Sequence, residues 1–414
     1  MLTEPVFIQV IVWLALTVAT YTAFIYFRDL GDITQALLTV HRKDMVFAIR
    51  HEYKLVGIGL IGSALAGYLA YTFALPGSLA VYTIIAINLF FIGFPYIWLH
   101  YGLRNQQNRA TYYSVEEARD YVRDDESVIV LENNGEARAH PDYHIKRPHL
   151  AGNDKGLGGE NIIITYCCMT HLGHGYKPEI NGKPLDLEVL AQHGNNLIMR
   201  DNTTGEPIQQ MYGTRECDGR WSDNKMQEWP TFRMPFGAFA KAYPNGEVFL
   251  NKIPAFTKNP LLWALDHLVE IIFLWGTVPH HNSEKLLFNT MDVNDNRLRR
   301  KELVWGFTIG QDSMAYTEAY IREKGNIVNT RIGGQDIVAS YDPEYASVNI
   351  WYNHRGTTIT QVDFFGHSDK GQLQRVETVK AGLYWCVWIN YFPESQLNDD
   401  GVVNQQFEGL FGPA

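Results

Sequence analysis

Three long stretches near the start of the chain contain no charged residue. They span residues 6–27, 55–76 and 79–99, and each is about as long as the ~20 apolar residues that a helix needs to cross a bilayer. Only a short turn at Pro76 separates the second stretch from the third, so we expect a tight helical hairpin. The pattern predicts a transmembrane region over residues 1–103, with three spans in contact with the lipid bilayer.

Two further segments place apolar residues at helical spacing but also carry charges. Residues 32–50 present a wide apolar face, which predicts an amphipathic helix on the membrane surface. Residues 257–279 are largely apolar but contain Asp266 and Glu270. A charge at the centre of a bilayer costs about 2.5–3.5 kcal/mol on insertion scales. We therefore interpret this segment as an amphipathic helix packed on the domain or on the bilayer face, with a fourth span as the alternative.

The rest of the chain alternates short apolar runs with turns of Gly, Asn and Pro. Residues 104–125 predict a linker helix, in which Ser114 and Glu117 have the spacing of a capping box. From residue 126 onward the pattern is typical of short strands. The predicted fold class is an N-terminal α-helical transmembrane region followed by a mainly β globular domain.

The β region contains an internal similarity. The segment that begins at Val128 resembles the one that begins at Leu303. The matching positions are Gly135 with Gly310, Ala139 with Ala315, Gly158-Gly159 with Gly333-Gly334, and Tyr166 with Tyr341. In both copies a Gly-Gly turn leads into a buried strand. We therefore predict a strand repeat, with a first β unit over residues 126–256 and a second over residues 280–414, packed as a sandwich or barrel.

Composition and charge narrow the class of protein. Hydrophobic residues make up 46% of the chain and charged residues only 19%, which is below the usual share in soluble domains. The net charge of -10 argues against a nucleic-acid partner. The sequence has no Gly-rich phosphate loop and no standard hydrolase motif, so we expect no nucleotide cofactor.

The densest group of potential metal ligands follows a predicted buried strand. Cys167, Cys168, His171 and His174 lie close together, and His140 occupies the matching turn region of the same unit. Thiolate with imidazole suits copper and zinc. These five residues are the predicted metal site, with copper favoured because its preferred donors are soft, and zinc as the second choice.

Whether His140 can join the other four residues depends on the pairing of two predicted strands. His140 would approach them if residues 128–132 pair with residues 162–166. Against a shared site, adjacent side chains on a strand point to opposite faces, so Cys167 and Cys168 do not easily bind one ion. The structural alternative is that both thiols act as small core residues.

The other cysteines and a histidine pair are interpreted without a chemical role. Cys217 and Cys386 are predicted to be structural, the latter within an aromatic strand. His280 and His281 follow a proline and are interpreted as a surface loop pair. No disulfide framework of the small secreted kind is indicated, because two of the four cysteines are adjacent and would be strained if they bridged each other. The pattern favours thiolate chemistry, a metal site or one incidental bridge.

An ordered set of residues resembles a family known as domain of unknown function 3179, or DUF3179. The matching residues are Gly135, Ala137, Ala139, His140, Pro141, Gly158, Gly159, Tyr166, Cys167, Thr170, Met199, Asp201, Thr204, Gly205, Gln210, Gly213, Phe239, Tyr243, Pro244, Gly246 and Leu250. The resemblance covers residues 128–252. The family has no settled activity, but members predicted to be selenoproteins imply that a reactive chalcogen matters in it.

The chain departs from the family pattern around the family cysteine, Cys167. His140 stands where the family usually has Tyr, Cys168 where it has Pro, and His171 where it has Gly. These departures enrich the region in metal-type ligands.

Two arguments disagree about the side of the membrane on which the globular domain lies. Lys and Arg follow the first and third spans, and the positive-inside rule then favours a cytoplasmic domain. Many family members look exported, so the resemblance favours an extracytoplasmic one. We prefer the argument from the charges, and hence a cytoplasmic domain, because the charges are read from this chain.

Two functions fit these observations. The first is a membrane-anchored copper-binding or thiol-redox protein that serves a membrane enzyme complex. The second is a non-catalytic accessory subunit that binds other membrane protein subunits. Metal content of the purified protein separates them.

Overall fold

The computed structural model of the chain describes residues 4–31, 40–104, 107, 111–152, 155–251, 259–286 and 290–398. The α-helices of this part are α1 (Glu4–Tyr26), α2 (Arg42–Thr72), α3 (Ser78–Tyr96), α4 (Val115–Ala118), α5 (Asp142–Ile145), α6 (Phe236–Ala242), α7 (Pro260–His281), α8 (Glu318–Glu323) and α9 (Trp385–Tyr391). α1 and α3 each continue into a π-helical segment, Phe27–Gly31 and Ile97–Arg104 respectively.

Long apolar helices dominate the N-terminal region. The segments long and apolar enough to cross a membrane are Val6–Gly31, Arg42–Thr72, Ser78–Arg104 and Pro260–His281. The first three form a bundle, which confirms the predicted N-terminal region with three apolar helices. Small residues let α2 approach α1 closely, since a Cβ on Gly62 would lie only 3.0 Å from the carbonyl oxygen of Ala15.

The second helix differs from its predicted boundaries. α2 begins at Arg42 and continues into the predicted second span through a kink at His51, whose φ of -117° and ψ of 16° are not helical. Residues 42–54 contain neither proline nor glycine, so the local sequence gives the helix no reason to end before the span. Residues 32–39 of the predicted surface helix lie outside the described part of the chain.

The first turns of α2 are bound to the globular domain. Arg42 forms an ion pair with Glu216 at 2.6 Å, and Arg50 forms one with Glu206 at 2.8 Å. The polar start of this helix therefore packs on the globular domain.

A buried polar network joins the bundle to the domain. His100 Nε2 lies 2.8 Å from Glu52 Oε1, and its Nδ1 lies 2.5 Å from Glu188 Oε1. Arg200 binds both carboxylates, and Tyr26 Oη donates to Glu52 at 2.8 Å. Removing one partner of a buried ion pair costs about 3–5 kcal/mol, so this network holds the helices and the domain in one arrangement.

Where the structure describes it, the predicted linker helix over residues 104–125 is instead a strand of the first unit's sheet and a single helical turn. β1 is Thr111–Ser114, and α4 follows it directly. The predicted capping box is confirmed, because the Ser114 side chain accepts from the Glu117 amide while the Glu117 carboxylate accepts from the Ser114 amide.

The first β unit has two main sheets. One has the order β1, β14 (Glu247–Leu250), β3 (Glu136–Pro141), β2 (Ser127–Asn133) and β13 (Thr231–Pro235). The other has the order β12 (Glu228–Trp229), β6 (Leu172–Tyr176), β5 (Ile163–Cys167) and β4 (Leu150–Ala151). Between β6 and β12 the chain inserts the hairpin β7 (Glu179–Ile180) and β8 (Lys183–Pro184) and a sheet of β11 (Pro207–Gln209), β10 (Asn196–Asp201) and β9 (Leu187–His193).

The second unit repeats this strand order. One sheet contains β23 (Lys380–Tyr384), β15 (Leu303–Ile309), β16 (Asp312–Tyr316) and β24 (Gln396–Leu397). The other contains β17 (Ile327–Ile332), β18 (Gln335–Asp342), β19 (Ser347–Tyr352) and β22 (Gln374–Arg375), with the small hairpin β20 (His367–Ser368) and β21 (Gly371–Gln372) inserted. The order β14-β3-β2-β13 corresponds to β24-β16-β15-β23, and β4-β5-β6-β12 corresponds to β17-β18-β19-β22.

The two Gly-Gly turns adopt matching conformations. Gly158 has a φ of 55° and Gly333 a φ of 56°. A Cβ on Gly158 would lie 2.3 Å from the carbonyl oxygen of Asn133, and one on Gly333 would lie 2.5 Å from that of Ile309. Each turn rests on the end of β2 or β15, where only glycine fits.

The sheets of the globular domain remain open. Among the described residues, each sheet ends in two edge strands and none closes into a barrel. The domain is a mixed, β-rich assembly of several sheets with short helices.

The two units pack against each other through β13 and β23. Arg233 donates from Nε to the carbonyl oxygen of Ala381 at 3.0 Å, and Ser347 Oγ donates to the carbonyl oxygen of Arg233 at 2.8 Å. Phe239 on α6 and Trp388 on α9, both fully buried, lie in the cores of the two units. This interface positions the site described next.

Candidate functional site

A cavity of about 690 Å³ lies where α7 meets the two β units. The residues in its wall with chemical capability include Asp142, Lys146, Cys168, His171, His281 and Tyr384. Leu274, Val278 and Leu303 supply apolar parts of the wall. The cavity thus brings a thiol, two imidazoles, a carboxyl group and an amine to one space.

The turn after β5 brings Cys168 and His171 to this cavity. β5 ends at Cys167, and His171 has a φ of 59°, in the left-handed region. Thr170 fixes the turn, because its Oγ1 donates to the carbonyl oxygen of Cys167 at 3.0 Å and accepts from the amide of Leu172 at 3.0 Å. The chain then reverses into β6.

An ionic network holds the imidazole of His171. His171 Nε2 lies 3.0 Å from Asp142 Oδ2, and its Nδ1 lies 2.6 Å from the carbonyl oxygen of Gly382. Arg233 donates to Asp142 Oδ2 at 2.7 Å and to the carbonyl oxygen of His171 at 2.8 Å. Both ring nitrogens of His171 are therefore engaged by protein oxygen atoms.

The same network keeps Asp142 ionised. Burial by itself would raise the pKa of this carboxyl group, but the charge of Arg233 and the interaction with His171 hold it well below its usual range. Asp142 lies on α5, and its two partners, His171 and Arg233, each contact a carbonyl oxygen of the second unit, that of Gly382 and that of Ala381 respectively.

The last turn of α7 supplies a second imidazole. His281 Nδ1 lies 2.7 Å from Tyr384 Oη, while His280 Nε2 lies 2.9 Å from the carbonyl oxygen of Met169. The interpretation of this pair as a surface loop was wrong. The two residues end a helix whose last turn packs on the β5–β6 turn.

The four cysteines differ in exposure, and none of them forms a disulfide bond in the structure. All four cysteines of the chain are free, with Cys167, Cys168 and Cys386 buried and Cys217 exposed. Burial raises the pKa of the Cys168 thiol far above its usual value, and the neighbouring Cys167 adds to the effect. The thiol at the cavity is therefore neutral at physiological pH.

Two of the five predicted metal ligands line the cavity, and three do not. Cys168 and His171 line it. Cys167 is directed elsewhere, with its sulfur 3.8 Å from the carbonyl oxygen of Asn195. His174 is buried beside Glu228 at 3.0 Å and its Nε2 lies 3.1 Å from Lys380 Nζ. The predicted set is thus divided between separate environments.

His140, the fifth predicted ligand, lies in the other sheet of the first unit. Its Nε2 is 2.9 Å from Tyr112 Oη, and burial lowers its pKa to about 3. The pairing that would have joined it to the cysteines does not occur, because β2 pairs with β3 and β13, while β5 pairs with β4 and β6. Within the described residues no group of three or more His, Cys, Asp or Glu side chains is arranged to hold a metal ion.

Sequence reasoning missed several residues of the cavity. Asp142, His281 and Tyr384 lie far apart in the chain, and only the packing of the two units against α7 brings them together. One signal was available for α7: Leu274, Val278 and His281 recur at helical spacing and form one face.

The geometry defines a class of protein: a chain with several helices long and apolar enough to cross a membrane, whose β-rich domain has a cavity lined in part by a thiol. The family described as protein of unknown function (DUF3179) matches residues 94–395. The chain belongs to the DUF3179 family. The match is wider than the resemblance over residues 128–252, and it includes the end of the third span, both β units and α7.

The family description assigns no activity, and two other comparisons add none. No curated protein and no solved structure matches the chain. The function must therefore be argued from the cavity itself.

Proposed function

We propose that this chain is a membrane-anchored protein that binds a soft metal ion, copper(I) in preference to zinc, in the cavity at Cys168. One observation supports the proposal most directly: Cys168 and His281 line the same cavity. Thiolate and imidazole together are donors that select copper or zinc over hard cations.

The number of available donors favours copper(I) over zinc. Structural zinc sites use four protein ligands and catalytic sites use three. His171 has both ring nitrogens engaged by Asp142 and Gly382, so Cys168 and His281 are the soft or borderline donors left in the wall, beside the hard carboxylate of Glu284. Copper(I) accepts so few ligands, whereas zinc would require additional ones.

Binding of a monovalent cation would be coupled to ionisation of the Cys168 thiol. An isolated thiolate is costly to bury, but a bound cation supplies the compensating charge and the thiol proton is released on binding. Tyr384 Oη can accept a hydrogen bond from His281 Nδ1, which would orient the ring and leave Nε2 for the metal.

Metal binding can be tested with the full chain purified in detergent. The protein is loaded with copper(I) under a reductant, desalted, and its copper content is measured by elemental analysis. We expect Cys168→Ser to lose most of the bound copper, at least about a tenfold drop in affinity. Cys167→Ser is the matched control, since its sulfur is equally buried but contacts Asn195. Equal copper loss in both variants, or none in either, would refute this assignment.

We further propose that the globular domain faces the cytoplasm. Arg42, Arg50 and Arg104 lie at the domain end of the spans, and basic residues at a membrane boundary favour the cytoplasmic side. Free cysteines also suit a reducing compartment. A membrane-impermeant maleimide should label the exposed Cys217 only after cells are permeabilised; labelling of intact cells would assign the domain to the outside.

A further inference from the structure

The inner face of α7 is fixed to the globular domain by buried charges. Asp266 and Arg147 are both fully buried, and Arg147 Nη2 lies 3.0 Å from Asp266 Oδ1. Glu270, one turn further along, lies 3.2 Å from Lys146 Nζ. The two carboxyl groups that would oppose membrane insertion are therefore neutralised by basic residues of the first β unit.

The same helix is attached to the end of the third span. Arg147 Nε donates to the carbonyl oxygen of Gly102 at 2.9 Å. The rings of Trp98 and Phe273 stack with centroids 5.0 Å apart. These contacts put the middle of α7 beside the point where the third span leaves the apolar region.

The C-terminal end of α7 is also anchored. His280 binds the carbonyl oxygen of Met169, and Lys301 Nζ donates to the carbonyl oxygens of Ser283 at 2.6 Å and Lys285 at 2.8 Å. α7 is thus held to the domain from its middle to its end, and it could not cross a bilayer without carrying Arg147 and Lys301 along.

The outer face of α7 is apolar and uncovered. Its large exposed side chains are Leu261, Trp263, Leu268, Ile271, Trp275 and Val278. Trp275 is 82% exposed and Ile271 is 62% exposed. A continuous apolar strip of this kind is not stable in water and marks a contact surface.

We infer that α7 lies along the membrane surface with its outer face in lipid and does not cross the bilayer. The partner is the bilayer itself, because the strip begins beside the exposed end of the third span, where Ile97 and Leu262 line one surface depression and are 46% and 38% exposed. An amphipathic helix of this type buries its apolar face about 5–10 Å into the boundary between headgroups and acyl chains. The charged inner face stays on the domain.

This placement of α7 also determines where the cavity lies relative to the membrane. Leu274, Val278 and His281 of α7 form part of the cavity wall, so the cavity lies directly behind the lipid-facing helix, at the level of the membrane surface. The inference holds whether or not a metal binds there.

Membrane depth can be measured with spin labels on the full chain in nanodiscs of phosphatidylcholine and phosphatidylglycerol. Cysteines are introduced one at a time as Leu268→Cys, Ile271→Cys and Trp275→Cys, in a chain whose exposed thiol is removed by Cys217→Ser. Accessibility to oxygen and to a water-soluble nickel chelate gives the depth of each label.

We expect all three labels on α7 to report the same shallow depth. Ile61→Cys, on the exposed face of α2, is the reference for a crossing helix, and Tyr121→Cys, exposed on the domain, is the reference for water. A gradient of depth along α7 that reaches the Ile61 value would mean that the helix crosses the bilayer. Labels as accessible to the nickel chelate as the Tyr121 label, or shielded from both oxygen and the chelate, would mean that water or a protein subunit covers this face. Each of these results overturns the inference.

Discussion

The two β units share a strand order but differ at one corresponding turn. In the first unit, the turn between β5 and β6 carries Cys168 and His171 and opens into the cavity. In the second, the turn between β18 and β19 carries Tyr345, whose ring packs on Phe364 with centroids 4.6 Å apart. Both turns contain a residue in the left-handed region, His171 with a φ of 59° and Ala346 with a φ of 47°. The two turns share this backbone feature, so the difference between them lies in their side chains: those of the first turn line a cavity, and Tyr345 fills the second.

The two units also differ in the size and the contacts of the strands inserted into them. The first unit inserts β9–β11, whose Glu188 and Arg200 enter the network with Glu52 and His100 of the bundle. The second inserts only the β20–β21 hairpin, where His367 pairs with Asp363 in an exposed position. The comparison teaches that the first unit supplies these contacts with the helical bundle and the cysteine and histidine of the cavity turn. The second unit contributes Tyr384 to the cavity wall.

The largest expected effect comes from the attachment of α7 to the first unit. Arg147→Met would leave Asp266 and Glu270 without their buried guanidinium partner, and we expect unfolding free energy to fall by about 3–5 kcal/mol. Chemical denaturation in detergent measures the loss. Lys241→Met is the control, since its pair with Glu344 on the second unit is exposed and should contribute little to stability. Similar losses in both variants would contradict the asymmetry.

Acid should loosen the first unit before the second. Burial lowers the pKa of His140 to about 3 and that of His149 to about 4, below the value near 6.5 of an unfolded chain. The unfolded state therefore binds more protons as the pH falls below about 6.5, and stability present above that pH is lost toward about pH 4. We expect up to about 2 kcal/mol per histidine between pH 7 and pH 5.

Hydrogen exchange at pH 7 and pH 5 localises this loss. In the second unit His354 and His367 are exposed, so its strands should keep more of their protection. Equal loss of protection in both units would show that the buried histidines do not control the response to acid.

A smaller effect is expected where the units meet. Gly382 has a φ of 68°, and a Cβ there would lie 2.8 Å from Arg233 Cδ. Gly310 has a φ of 61°, but a Cβ there would meet no atom within 4 Å. Gly382→Ala should therefore cost about 1–2 kcal/mol more than Gly310→Ala, which suffers only the left-handed strain. Thermal unfolding of the two variants gives the difference, and equal melting points would exclude a tight interface.

The smallest effect tests the support of the proposed metal site. Tyr384→Phe removes the hydroxyl that contacts His281 Nδ1 and should weaken copper(I) binding about tenfold, as measured by competition with a chelator. Tyr345→Phe, at the filled turn of the second unit, should leave the affinity unchanged. A Tyr384→Phe protein with unaltered copper affinity would remove His281 from the proposed ligand pair.

Local sequence patterns predicted the helices, the helix cap and the turns of this protein better than they predicted the contacts between distant residues. Three apolar helices, the Ser114 cap and the two Gly-Gly turns follow from residues that are close in sequence. The merging of the surface helix into α2 was missed because no helix breaker separates Arg42 from the span, and the expected boundary rested on composition alone. The pattern of matched glycines also could not tell open sheets from a closed barrel.

The site was predicted only in part for a related reason. Cys168 and His171 were found because unusual residues cluster there, but the same cluster suggested Cys167, whose side chain is directed elsewhere. Asp142, His281 and Tyr384 come from three distant segments. Their proximity depends on the packing of two units around α7, which no local spacing encodes.

Helix α2 joins the bundle to the domain directly, with one kink at His51. Its first turn is bound through Arg42 to Glu216 of the domain, and beyond the kink each residue adds about 1.5 Å of helix toward the far end of the bundle. Just past the kink, Glu52 pairs with Arg200 of the domain. A tilt of the bundle would therefore be transmitted to the domain through both contacts.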